Sequence, residues 1–193
     1  MEKYVITLSR QFASLGRSIA EEVSRNLNIS FYDRDIVEAT AKRMGQPIST
    51  ISKQEETNSS RFFKRKYPLG MGAANIQEEI FNVQTNIIQD LAERESCIIV
   101  GRCSNYVLED HPNSFHIFIY APYKERLKNC INILKMKPGV ARKMLRDVDQ
   151  ARENYRLQYC KNTTTLYDGY DLMIDSSRFG VSKTAKIISN LIE

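Results

Sequence analysis

Gly16, Arg17 and Ser18 stand directly after an apolar run, Val5 to Ser9, and its short loop, and directly before the helical pattern Ile19, Ala20, Val23. A strand that turns tightly into a helix leaves the first backbone N–H groups of that helix unpaired, at the positive end of its dipole, where an anion is stabilised. There, a glycine allows close backbone approach, a guanidinium adds fixed charge, and a hydroxyl can ligate Mg²⁺. The chemistry this combination suggests is phosphate binding. Set against the phosphate-loop pattern G-x-x-x-x-G-K-[ST], Gln11 to Ser18 keeps the second glycine and the hydroxyl, carries arginine for lysine, and has Gln11 for the first glycine. Taken alone, a structural βα turn with Gly16 as its tight-turn residue accounts for the same run.

Positioning such a loop requires a sheet, and the rest of the chain reads as one. Apolar runs at Ile29 to Tyr32, Cys97 to Val100, His116 to Tyr120 and Leu172 to Ile174 have the length of strands. Between them lie helical patterns: Ile19 to about Leu27, Arg34 to Met44, Ala74 to Arg94, a stretch after Pro122 to about Lys135, Val140 to Cys160, and Val181 to Leu191. Asp33 is placed to cap the second helix and Gly45 to stop it. From Pro47 to Ala74 apolar residues thin out and Pro68, Gly70 and Gly72 break any long element, as expected of an inserted lobe. The fold class is therefore α/β, a parallel sheet with helices on both faces. Ligands collect at the carboxyl ends of such strands, which here carry Arg10 to Ser18, Asp33-Arg34-Asp35, Gly101-Arg102 and Asp175-Ser176.

The 193 residues suit one domain with inserts, and 42% hydrophobic with 26% charged residues is ordinary for a soluble globular protein. A net charge of +5 favours anionic partners without choosing among them. Cys97, Cys103, Cys130 and Cys160 form no C-x-x-C pair, and with His111 and His116 they make no zinc-type spacing. Reduced thiols, no signal-like start and no apolar stretch near the ~20 residues of a membrane span lead us to expect a cytoplasmic protein.

Thr7-Leu8-Ser9-Arg10-Gln11-Phe12, Gly16-Arg17, Phe31-Tyr32-Asp33, Ile99-Val100-Gly101-Arg102, Arg146 to Tyr155 and Tyr170 to Ser176 together resemble, in order and spacing, the cytidylate kinase-like family of P-loop nucleoside monophosphate kinases. The resemblance implies a five-stranded parallel core (1–45, 94–135, 161–193), a monophosphate-binding insert at 46–93 and a helical lid at 136–160. It implies ATP and a nucleoside monophosphate, CMP or dCMP first, as ligands, with Mg²⁺ as cofactor and room for a homo-oligomer. Ser14, Leu15, Gly16, Arg17 and Ser18 would wrap the ATP β-phosphate, with Arg17 in the place of the loop lysine and Ser18 on the metal. Arg10, Asp33, Arg102 and Asp149 would meet the acceptor, Arg102 as its phosphate clamp.

The lid implied by this resemblance would bring arginines to the transferring group, a contribution of ~10³-fold or more in such reactions. Arg146 lies six residues before Arg152 and Arg142 four before Arg146, so we expect one helical flank to carry all three, with Asp149 orienting Arg152. A solvated helix laced with ion pairs is the alternative. Ala13-Ser14-Leu15-Gly16 lacks two glycines usual in the family, and a positive φ at Ala13 or Leu15 would cost about 1 kcal/mol each. Val100 and Cys103 replace the usual acids around Gly-Arg, and no Walker-B carboxylate follows Cys97 to Val100. A nucleotide-binding regulator without catalysis is thus a second reading. A nucleic-acid binder using Arg61-Phe62-Phe63-Lys64-Arg65-Lys66-Tyr67 is a more distant third.

Overall fold

Five strands, β1 (Val5–Arg10), β2 (Ser30–Tyr32), β3 (Cys97–Val100), β4 (Ser114–Tyr120) and β5 (Leu172–Asp175), form one parallel sheet in the order β2-β3-β1-β4-β5. They come from a computed structural model that describes residues 2–57, 71–161, 165 and 167–192. The basic run Arg61 to Tyr67 and most of the Pro47–Ala74 segment's second half lie outside the described residues. The chain runs from β1 to β2 and β3 on one side and then crosses to β4 and β5 on the other, so the strand order reverses at β1 and opens a crevice at its C-terminal end.

The sheet is covered on both faces, and the two-residue alternation of the strands assigns the faces. Ile6, Leu8, Ile98, Val100, Ile117 and Ile119 pack against Ile19, Ala20 and Val23 of α1 (Gly16–Leu27) and Ala185 and Ile188 of α8 (Ser176–Ile192). On the other face Val5, Cys97 and Ile99 meet Ile36 of α2 (Arg34–Met44) and Ile87, Ile88 and Leu91 of α4 (Met71–Arg94).

Within the segment read as an inserted lobe without a long element, α3 (Ile48–Thr57) forms, anchored by a fully buried Ile51 against Val37, Ala41 and Ile80. One well-placed apolar residue suffices to dock a short polar helix, a signal too sparse for periodicity to reveal. A further short helix, α5 (Ser104–Val107), follows β3. Two more, α6 (Tyr123–Asn132) and α7 (Pro138–Tyr159), pack through Cys130, Ala141 and Leu145. The last helical run breaks at Gly180, whose φ of 73° and ψ of 178° are not helical. Among the described residues no helix is long and apolar enough to cross a membrane.

Candidate active site

The loop from Gln11 to Ser18 is held by its carbonyls. Arg126 Nη1 donates to Phe12 O (3.1 Å), Asn129 Nδ2 to Ala13 O (2.9 Å) and Ser176 Oγ to Ser14 O (2.7 Å). Gln11, in place of the first loop glycine, accepts the Ala121 N–H with its own side chain (3.2 Å). With three successive carbonyls tied to α6 and α8, the loop runs into α1 with no side chain capping the first helical amides. Those amides can receive an anion.

Ala13 and Leu15 both adopt the left-handed conformation, with φ of 59° and 62°. The Ala13 methyl packs, with Phe12, on the Cys130–Ala141–Leu145 cluster, an apolar contact that a glycine would lack. The Ser14 hydroxyl turns inward, within 2.9 Å of Gln11 O and 3.2 Å of Ile119 O, so this side chain fastens the loop. Arg17 and Ser18 are exposed on the first turn of α1.

Arg10 leaves the end of β1 and threads between two glycines. A Cβ on Gly16 would stand 2.7 Å from Arg10 Cβ, and one on Gly101 would overlap Arg10 Nη1. Gly101, Arg102 and Cys103 all have positive φ (80°, 60° and 53°), so β3 ends in three consecutive left-handed residues, two of them strained. Asp33 sits at the start of α2 but makes no capping hydrogen bond; its carboxylate bridges Arg10 (3.5 Å) and Arg17 (3.3 Å). A partly buried carboxylate beside two guanidiniums gains more from them than from a helix end. Arg17 also reaches Glu21 (3.1 Å) and lies over the Phe31 ring at 5.8 Å.

Arg152 of α7 donates to Arg10 O at 2.9 Å. Burial first, then the neighbouring Arg152 guanidinium, push the Arg10 pKa down to about 9, Asp33 opposing. Burial likewise lowers Arg152, against Asp149 and Asp33, while Arg102 adds further repulsion. Arg10, Arg102 and Arg152 line a cavity of about 650 Å³ together with Ser9, Phe118 and Tyr170. Residues 13 to 18 are not among its walls, so the loop and the arginine pocket are adjacent features rather than one hollow. Asp147, Asp149 and Glu153 line the same cavity, and an anion held between Arg10 and Arg152 would offset the burial and repulsion that lower both guanidiniums.

Two expectations for α7 change. Arg146 does not share the flank of Arg152: its side chain is 76% exposed and pairs with Asp147 at 3.3 Å, and Arg142 is exposed as well. Six residues turn a helix through about 600°, which leaves Arg146 about 120° from Arg152. The α7 residues that line the cavity are Met144, Asp147, Val148, Asp149, Ala151, Arg152, Glu153, Tyr155 and Arg156. Asp149 does not hydrogen-bond Arg152; it accepts the Phe12 N–H (2.7 Å) and pairs with Arg126 (2.5 Å). Arg126 and Asn129 escaped the sequence reading, although they recur at the three-residue spacing of one helix face, and Ser176, marked there as a strand-end residue, proves to hold the loop.

Cys103 faces the cavity and donates a hydrogen bond to Cys160, just beyond α7, which raises the Cys103 thiol and lowers that of Cys160. Farther along, Phe81 of α4 stacks on Tyr159 (4.1 Å between centroids), and the Tyr155 hydroxyl donates to the buried Gln84 (3.1 Å). The helix that carries Arg152 is therefore packed on α6 at one end and on α4 at the other.

The model of the cytidylate kinase-like family matches residues 5–178. Among solved structures, an uncharacterised protein from Eubacterium ventriosum is 23% identical, covering 98% of each chain, with a TM-score of 0.74. Shikimate kinase from Bacteroides thetaiotaomicron (12% identical, 98% of each chain, TM-score 0.60) shares the fold. So does that from Acinetobacter baumannii in complex with shikimate (13%, 98% and 93%, 0.53). A search of curated proteins gave no significant match. With the family pattern spanning nearly its whole length and a P-loop kinase-like sheet beneath it, the chain belongs to the cytidylate kinase-like family.

Proposed function

We propose that the protein is an ATP-dependent nucleoside monophosphate kinase that converts CMP or dCMP to the diphosphate. The observation that carries this reading is the convergence of Arg10, Arg102 and Arg152 on one cavity beside the uncapped start of α1. The acceptor's phosphate would take the guanidiniums, and the donor's β-phosphate the amides of Gly16, Arg17 and Ser18. That juxtaposition is what phosphoryl transfer needs, since the protein's work is alignment and neutralisation of charge on the moving group.

Mg²⁺ fits as an ion carried by the nucleotide. Asp33 is engaged by two arginines, and among the described residues no group of three acidic, histidine or cysteine side chains could hold a metal by itself. The exposed Ser18 hydroxyl is the donor that would complete a shell of phosphate oxygens and water. When bound, the ion neutralises charge on the phosphates being separated.

A silent nucleotide-binding regulator of the same fold is the second reading. It is favoured by Arg17, in the place of the loop lysine, being engaged by Asp33 and Glu21. One experiment separates the two: incubation with Mg·ATP and, in turn, CMP, dCMP, UMP, AMP and GMP, with the diphosphate observed by ³¹P NMR. The expected result is ADP with a cytidine diphosphate. Binding of CMP without any diphosphate would establish the regulator, and neither binding nor turnover with any acceptor would overturn both.

A further inference from the structure

Arg126 is buried on the first half of α6, away from the walls of the arginine cavity, yet it touches the end of β4, the loop and α7 around that cavity. Its Nε donates to Ala121 O (3.0 Å) at the end of β4, and its Nη1 to Phe12 O (3.1 Å) at the entry of the loop. The same nitrogen pairs with Asp149 Oδ2 (2.5 Å), while Asp149 Oδ1 takes the Phe12 N–H (2.7 Å). Both backbone groups of Phe12 are thereby committed, one to the arginine and one to the carboxylate. One helical turn further along α7, Arg152 makes its bond to Arg10 O.

The helix is thus docked by two rungs, Asp149 on the loop and Arg152 on the end of β1, and both residues line the arginine cavity. A buried ion pair gives little net stability against a well-packed apolar substitute, and its best-attested use is to fix register. A guanidinium with two backbone carbonyls already satisfied cannot follow the helix if the helix slides. We propose that Arg126 is a positioning residue for phosphoryl transfer: through Asp149 it sets the turn of α7 that presents Arg152 to the acceptor's phosphate. This inference rests on the kinase reading above.

A purely structural arginine and a positioning one differ in what they are coupled to. With Mg·ATP and CMP, Arg126→Met should lower kcat/KM for CMP by about 10²-fold, the scale of an ångström-sized misplacement, part of it as a higher KM for CMP because Arg152 meets the acceptor's phosphate, with the ATP KM little changed. In an Arg152→Lys background the same substitution should cost no more than about twofold, because the group it positions is already compromised. Arg126→Lys, which keeps the charge and loses the fork, should fall between. A full multiplicative loss in the Arg152→Lys background, or an unchanged kcat/KM for CMP in folded Arg126→Met, would overturn the proposal.

Hydrogen exchange of amides 145–156 in the nucleotide-free protein reads the docking without any turnover. Arg126→Met, or Arg126→Lys should the first variant not fold, should exchange faster there than wild type. Faster exchange in a protein that makes no diphosphate would defeat the kinase reading and leave the docking role standing. Unchanged exchange would defeat the docking role itself.

Discussion

Arg10 depends on what its neighbours lack. It occupies the space that side chains on Gly16 and Gly101 would take, and it shares its surroundings with Arg17, Arg102 and Arg152 against Asp33. Gly101→Ala should therefore displace the guanidinium and, with φ of 80°, add backbone strain. Acceptor KM should rise by about tenfold or more, the loss of one charge-assisted contact, while the ATP KM changes little. Equal changes in both would show that the loop, not Arg10, had moved. Leu15 makes the opposite case, since it bears strain at φ 62° in a half-exposed N-cap position that glycine suits better. Leu15→Gly should leave stability unchanged or raise it by up to about 1 kcal/mol in denaturant titration, and a loss of 2 kcal/mol would contradict that. The glycines missing at positions 13 and 15 raise the cost of a positive φ there, and both residues adopt one. Nothing in the sequence announced the left-handed Arg102 and Cys103, because non-glycine strain leaves no compositional trace.

At the scale of elements, the loop is shaped by helices that come later in the chain. Ser176, the first residue of α8, donates to Ser14 O (2.7 Å) and lies 3.1 Å from Tyr120 O, so it joins the loop, β4 and β5. Ser176→Ala leaves those buried acceptors unmatched and should cost about 1–3 kcal/mol of stability, with a parallel loss of ATP affinity measured by calorimetry. Destabilisation with ATP affinity intact would mean that the Ser14 carbonyl does not govern the loop. The strands were legible because they are short continuous apolar runs, and their placement in one parallel sheet followed from the helices between them. Asp33 was correctly put at the start of α2, but its side chain serves Arg10 and Arg17 instead of the helix, a tertiary preference that local capping rules do not see. Arg146 was misplaced by treating six residues as nearly two turns, an angular error that the 3.6-residue period exposes.

Taken whole, the molecule buries a titratable group in its sheet. His116 on β4 faces Thr7 on β1, with Nδ1 2.8 Å from Thr7 Oγ1 and Nε2 3.2 Å from Ser114 Oγ, and burial lowers its pKa. Its folded pKa lies below the unfolded value of about 6.5, so the unfolded chain binds the extra proton first. Stability from this site is complete above that pH and declines as pH falls through it. Thermal unfolding should show Tm dropping between pH 7.5 and 5.5 more steeply in wild type than in His116→Gln. Parallel curves would contradict the assignment. The architecture as a whole was readable from alternating apolar runs and helical periods. The cavity was not, since it exists only where β1, β3, β4 and α7 meet, and contacts so distant in sequence leave no local pattern.

The function proposed above requires that Arg10, Arg102 and Arg152 take the phosphate of an acceptor nucleotide. Isothermal titration of the wild-type protein and an Arg10→Met variant with CMP and with cytidine tests it most directly. CMP should bind wild type at least about 10²-fold more tightly than cytidine, as two or more charge-assisted contacts would give, and Arg10→Met should erase most of that difference. Equal affinities for CMP and cytidine, or undiminished CMP binding by a folded Arg10→Met protein, would contradict the account.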